Sequence, residues 1–113
     1  MDIDSSALQR LVSVGGRDLL DKMIGLFLEN TPGRLSVARS RSDLGDWSSV
    51  ERAAHSMKSS AAYLGLRDFR VRAERIETCA REGLRGDLGA QVEGLLRAFD
   101  AAREGLPQAV LAL

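Results

Sequence analysis

The sequence predicts an all-α fold: an antiparallel up-down four-helix bundle with a short additional N-terminal helix. Three observations predict it. Apolar residues recur at alternating spacings of three and four along most of the chain, which places them on one face of an α-helix. No stretch shows the period-two alternation of a half-buried strand. Gly- and Pro-containing breaks divide the pattern into stretches of ~15–25 residues with short connections, as in an up-down bundle. The heptad-like stripes predict near-parallel packing at ~20°.

Each element has its own signals. Asp4 or Ser5 can cap a short first helix carrying Leu8, Leu11 and Val12, which stops at Gly15-Gly16. A second helix starts near Arg17, and Leu20, Met23, Ile24, Phe27 and Leu28 give it a broad apolar face. Thr31-Pro32 interrupts it, because proline lacks the amide donor and disfavours helix at the preceding residue. The pattern resumes at Leu35 and Ala38, so a kink or two nearly collinear helices are expected, ending near Ser42. Leu44-Gly45-Asp46 reads as a turn, with Asp46 as N-cap of the next helix. That helix carries Trp47, Val50, Ala54, Met57, Ala61 and Leu64 as one stripe and closes at Gly65.

The following helix, 66–82, has its stripe at Leu66, Phe69, Ala73, Ile76 and Ala80. A glycine-rich loop over 83–87 leads to Asp87, the expected cap of a last helix with Leu88, Val92, Leu95, Phe99 and Ala102. Pro107 is expected to end or bend it. The reading is one domain over 1–113: an N-terminal helix and turn (1–15), the bundle (17–106) and an apolar tail (107–113).

Composition removes several function classes. The 113 residues suffice for one modest core. Sixteen basic and sixteen acidic residues leave no net charge to attract nucleic acid or anionic lipid. Arg67, Arg70, Arg72 and Arg75 form the one basic run, and Asp68, Glu74 and Glu77 largely offset it. The single Cys79 allows no internal disulfide and supports no metal cluster; beside the Ile76/Ala80 stripe it reads as a packing residue. No run of ~18 apolar residues could span a bilayer, and the polar, acidic N-terminus is unlike a signal peptide. A cytoplasmic monomer is the expectation. No Gly-rich phosphate loop, second histidine or paired carboxylates at a cleft suggests a kinase or an acid–base enzyme.

One residue stands out against this background. His55 is the only histidine, and at ~100° per residue it projects roughly 130° from the centre of its helix's apolar stripe. Its imidazole should therefore reach water. Ser59 lies one turn on, Ser48 and Ala62 two turns away on either side, and Lys58 on the edge between this face and the core. A nucleophilic ring with a cation beside it and no bulky flank suits a phosphoryl group delivered by another protein.

The segment His55-Ser56-Met57-Lys58-Ser59-Ser60-Ala61-Ala62-Tyr63-Leu64-Gly65 resembles the signature of histidine phosphotransfer (HPt) domains. That signature has a phosphorylatable His, Lys three residues on, Gly most often at the fourth, small residues after it and Gly at the tenth. His55, Lys58 and Gly65 match; Ser59 replaces the commoner Gly. The resemblance extends from about Leu19 to Leu106.

It implies that Nε2 of His55 attacks an aspartyl phosphate on a response-regulator receiver domain and passes the group to a second receiver. Imidazole ordinarily titrates near ~6.5, so much of it is a neutral nucleophile at neutral pH. Lys58 would face the phosphoryl oxygens, Glu77 would accept from Nδ1–H and fix the tautomer, and Arg81 would contact phosphate as well. The bland reading of Glu77 and Arg81 is a surface i, i+4 ion pair worth ~0.3–0.5 kcal/mol. Gly65 equally serves as a helix C-terminus device.

Ser59 is small enough to tolerate, and slower or more selective transfer is expected from it. The resemblance also implies receiver docking on the N-terminal helix: Leu8, Leu11 and Val12, with Ser48 and Ala62 beside the ring. The alternative for those three apolar residues is that they cover the open end of the bundle. Partners would be receiver domains and a hybrid sensor histidine kinase; no cofactor is expected, and magnesium would belong to the receiver. A competing function is a phosphorylation-silent helical adaptor that binds a receiver or kinase.

Overall fold

The computed structural model describes residues 2–83 and 86–113. They form four helices in chain order: α1 Ser5–Asp43, α2 Trp47–Tyr63, α3 Arg67–Arg81 and α4 Leu88–Leu111. Each packs on two others, α1 on α2 and α4, and α3 on α2 and α4, closing a ring around one core. Phe27 of α1 joins the far side of that core. Its ring meets Phe69 of α3 edge-on at 5.2 Å and Phe99 of α4 at 5.5 Å. Leu20, Val50, Met57, Ile76 and Leu95 complete the buried centre, so the three–four stripes face inward as expected. Among the described residues strand pairing is limited to one isolated bridge, Ile3 with Leu66.

α1 cannot be straight. Thirty-nine residues at 1.5 Å each would span roughly 58 Å, but the longest dimension of the molecule is 42 Å. The break is at Gly16, where φ 74° and ψ −173° leave the helical region, a conformation open to glycine. The carboxylate of Asp4 caps the start by accepting from the Ser6 amide and hydroxyl at 3.1 and 2.6 Å.

Neither proline ends its helix. Helical dihedrals persist through Pro32, and α4 continues past Pro107 to Leu111. Both prolines are exposed, and packing on either side outweighs the lost hydrogen bond. Beside Pro32 the buried Thr31 hydroxyl donates to the Phe27 carbonyl at 2.6 Å. Asp87 takes the N-cap position of α4 as expected, and its carbonyl accepts from the Gln91 amide, but its carboxylate makes no capping bond and accepts instead from Gln91 Nε2 at 2.7 Å. Of the expected loop over 83–87, Leu84 and Arg85 lie outside the described residues.

The turn between α2 and α3 positions the exposed histidine face. Asp46 caps α2 through the Ser49 amide at 3.2 Å and hydroxyl at 2.6 Å. At the other end, Gly65 N–H donates to Ala62 O and Leu66 N–H to Ala61 O, the paired bonds of a Schellman ending with Gly65 at φ 69°. The N-terminal strap crosses this turn: Asp4 N–H donates to Gly65 O at 2.8 Å, and Arg67 pairs with Asp2 and Asp4. A Cβ on residue 65 would stand 2.5 Å from the Asp4 carbonyl oxygen. Gly65 thus has a structural reason that involves no phosphate.

Candidate functional site

The tight turn lays α3 alongside α2 in a register readable from their ion pairs. Glu51 meets Arg81 and His55 meets Glu77, so partner numbers fall on α3 as they rise on α2 and the two helices run antiparallel. On α2, Glu51, His55 and Lys58 are spaced four and three apart, one side of a helix. On α3, Glu77 and Arg81 are spaced four apart and face them.

Glu77 is the hub. Its residue is 3% exposed, yet each carboxylate oxygen is occupied. His55 Nδ1–H donates to Oε2 at 2.6 Å, and Lys58 Nζ donates to Oε1 at 2.6 Å. Arg81 Nη2 lies 3.7 Å from Oε2. Burial, the largest influence, pushes the carboxyl pKa up. Hydrogen bonds from Lys58 and then His55, with the charges of both, together outweigh it and hold the group below its ordinary range. Glu77 is therefore an anion, and an anionic carboxylate only accepts. The proton shared with His55 must sit on Nδ1, which in the neutral ring leaves the lone pair on Nε2.

Nε2 faces outward. The His55 side chain is 61% exposed, whereas that of Glu77 is 5% exposed, so the ring bridges the buried carboxylate and solvent. Among the described residues none hydrogen-bonds Nε2. The shallow depression around it is lined by Glu51, Arg52, His55, Ser56, Lys58, Glu77 and Arg81. Three cations and two carboxylates leave a positive balance where an anion would arrive.

His55, Lys58, Glu77 and Arg81 are thus brought together as the sequence suggested. Ser59, half-buried one turn after the histidine, does not line the depression. Ser48 and Ala62 are exposed on the His55 face. Leu8 is a correction: it is 0% exposed and belongs to the core, so it offers nothing to a partner. The short N-terminal segment is covered by the bundle on that side. Leu11 and Val12 are partly buried against the same core.

Glu51 and Arg52 escaped the sequence reading. Glu51 accepts from Arg81 Nε at 3.1 Å, and Arg52 contacts Ser48 and Ser49. Their signal was present, since both lie within one turn of His55 on its exposed side. Among the described residues, no group of three or more His, Cys, Asp or Glu is placed to hold a metal ion. No helix among them is long and apolar enough to cross a membrane.

Comparison with known proteins gives two positive findings. Histidine-containing phosphotransfer protein B (HptB) from Pseudomonas aeruginosa PAO1 superposes with a TM-score of 0.88 at 22% identity, covering 99% of this chain and 96% of that one. That likeness is one of fold. Among curated proteins none matches the sequence. The second finding is from sequence: residues 22–105 match the Hpt domain, a span that contains α2, α3 and every residue around His55, and the chain therefore belongs to the Hpt domain family.

Proposed function

We propose that His55 is the phosphoryl carrier of this phosphorelay domain, taking the group from a phospho-aspartyl receiver and handing it to another. The observation behind it is the 2.6 Å bond from Nδ1–H to the buried Glu77, with Nε2 left open to water. Family membership assigns phosphotransfer within a phosphorelay; the geometry supports this residue and this direction of attack.

The chemistry is short. Nε2 attacks phosphorus in line, an N–P bond forms, and the O–P bond of the aspartyl phosphate breaks with the electron pair leaving on the aspartate. Both ring nitrogens are then substituted, so the ring carries positive charge while Nδ1–H is retained, and Glu77 faces that charge. Lys58 and Arg81 lie where the phosphoryl oxygens arrive. Reversal toward a second receiver restores the neutral ring. The chain acts as a covalent carrier without an ATP site of its own, and magnesium sits with the receiver's aspartate.

The fold serves this role in our reading as an up-down bundle, with the segment before Gly16 as a separate short helix. Leu11, Val12, Ser48 and Ala62 are the remaining docking candidates, and a small transient contact with receivers or a hybrid sensor kinase suits a carrier. A cytoplasmic monomer fits that exchange of partners. The test is incubation with a phosphorylated receiver: acid-labile label on the wild type and none on His55→Gln supports the carrier. Binding of the receiver without label would favour the silent adaptor.

A further inference from the structure

We propose that Glu51 is a positioning residue that competes with the phosphoryl group for Arg81 and so keeps phospho-His55 a ready donor. The inference rests on the carrier reading above. Arg81 stands between two carboxylates, with Nε on Glu51 Oε1 at 3.1 Å and Nη2 at 3.7 Å from Glu77 Oε2. Glu77 is buried and already holds two shorter hydrogen bonds, so Glu51 is the closer hold on the guanidinium. Both Glu51 and Arg81 line the depression around His55.

A phosphoryl group on Nε2 brings nearly two negative charges into that depression. Arg81 can reach it only by loosening its bond to Glu51. The Glu51 carboxylate then faces the phosphoryl oxygens without its full counter-charge. Both effects lower the stability of the phosphorylated form relative to a site with a neutral residue at position 51. The Arg81 side chain is 58% exposed and that of Glu51 36%, so solvent screens the exchange, which leaves it a tuning device rather than a switch. A carrier benefits from such tuning, because a group bound too well is not passed on. In the onward step the N–P bond breaks, its electron pair returns to Nε2, and the receiver's aspartate oxygen forms the new bond to phosphorus.

The readout is the equilibrium ratio of phospho-His55 to phospho-aspartate between this chain and one receiver, at concentrations where the two do not stay bound. That ratio is independent of docking, so it separates stabilisation of the phosphorylated form from recognition. Glu51→Gln keeps the size of the side chain and is expected to raise the ratio about three- to ten-fold. In an Arg81→Ala background the same substitution should move it by less, because the competition for Arg81 is gone and only the charge repulsion remains. An unchanged ratio in Glu51→Gln overturns the proposal, as does an equal shift with and without Arg81. Equal unfolding midpoints for wild type and Glu51→Gln exclude a folding cause. Wild-type chain that takes no label defeats the carrier reading and this proposal together, whereas label without a Glu51 effect defeats this one alone.

Discussion

Replacing Glu77 by alanine tests how much the buried carboxylate contributes to the reactivity of the ring. The substitution removes the acceptor of two 2.6 Å hydrogen bonds, from His55 Nδ1–H and Lys58 Nζ. Hydrogen bonds to charged groups are worth ~1.5–3 kcal/mol. In the resting protein water can replace part of this, because the His55 ring is largely exposed. As the ring gains positive charge during attack, the missing carboxylate is felt most. Loss of one such bond in the transition state slows transfer roughly 10- to 150-fold.

Folding should suffer by a similar amount, about 1–3 kcal/mol, limited because burial of the carboxylate itself carries a desolvation cost that alanine removes. Glu77→Gln keeps an acceptor for Nδ1–H but turns an amide toward Lys58, so its rate should fall between the two. The assay is single-turnover transfer from a phosphorylated receiver, with urea unfolding to confirm that each variant is folded. A folded Glu77→Ala protein that transfers at the wild-type rate refutes the orienting role of the carboxylate.

Three further outcomes are expected. Because the folded-state pKa of Glu77 is depressed, its stabilising contribution is complete above its ordinary value near 4.5 and is lost as pH falls through the folded value. Urea midpoints should therefore decline from about pH 5 downward, less steeply in Glu77→Gln. Asp4 and Asp46, held low by bonds from Ser6 and Ser49, account for residual slope, and a Glu77→Gln profile parallel to wild type contradicts the assignment. Gly65→Ala forces a side chain into positive φ and against the Asp4 carbonyl, and should cost about 1–3 kcal/mol by urea unfolding; a loss under about 0.5 kcal/mol would be contrary. Ser59→Gly should lower helix stability by roughly 0.3–0.5 kcal/mol yet speed transfer to at least one receiver, and slower transfer to every receiver counts against crowding at that position.

Much of this was legible because helical periodicity reports faces. The stripe of Val50, Ala54, Met57 and Ala61 placed His55 outside the core, and its side chain is exposed. The same logic marks which face of a helix is apolar but not what covers it, so the complete burial of Leu8 was beyond its reach. α1 and α4 run on past Pro32 and Pro107 because packing on both sides outweighs the local rule, and Asp87 takes the expected N-cap position while its carboxylate goes to Gln91. Glu51 went unread because its partner Arg81 is 30 residues away. Only the α2–α3 register set by the turn at Gly65 brings the pair together. Glu77 and Arg81 were reachable through family resemblance; their joint bonds to both helices needed coordinates.

The most direct measurement is phosphorus NMR of the chain after exposure to a phosphorylated receiver and magnesium. A phosphoramidate resonance assigned to Nε2 of His55, discharged when a second receiver is added, is the predicted result. A resonance on another residue, or none while the receiver loses its phosphate only to water, would contradict the account.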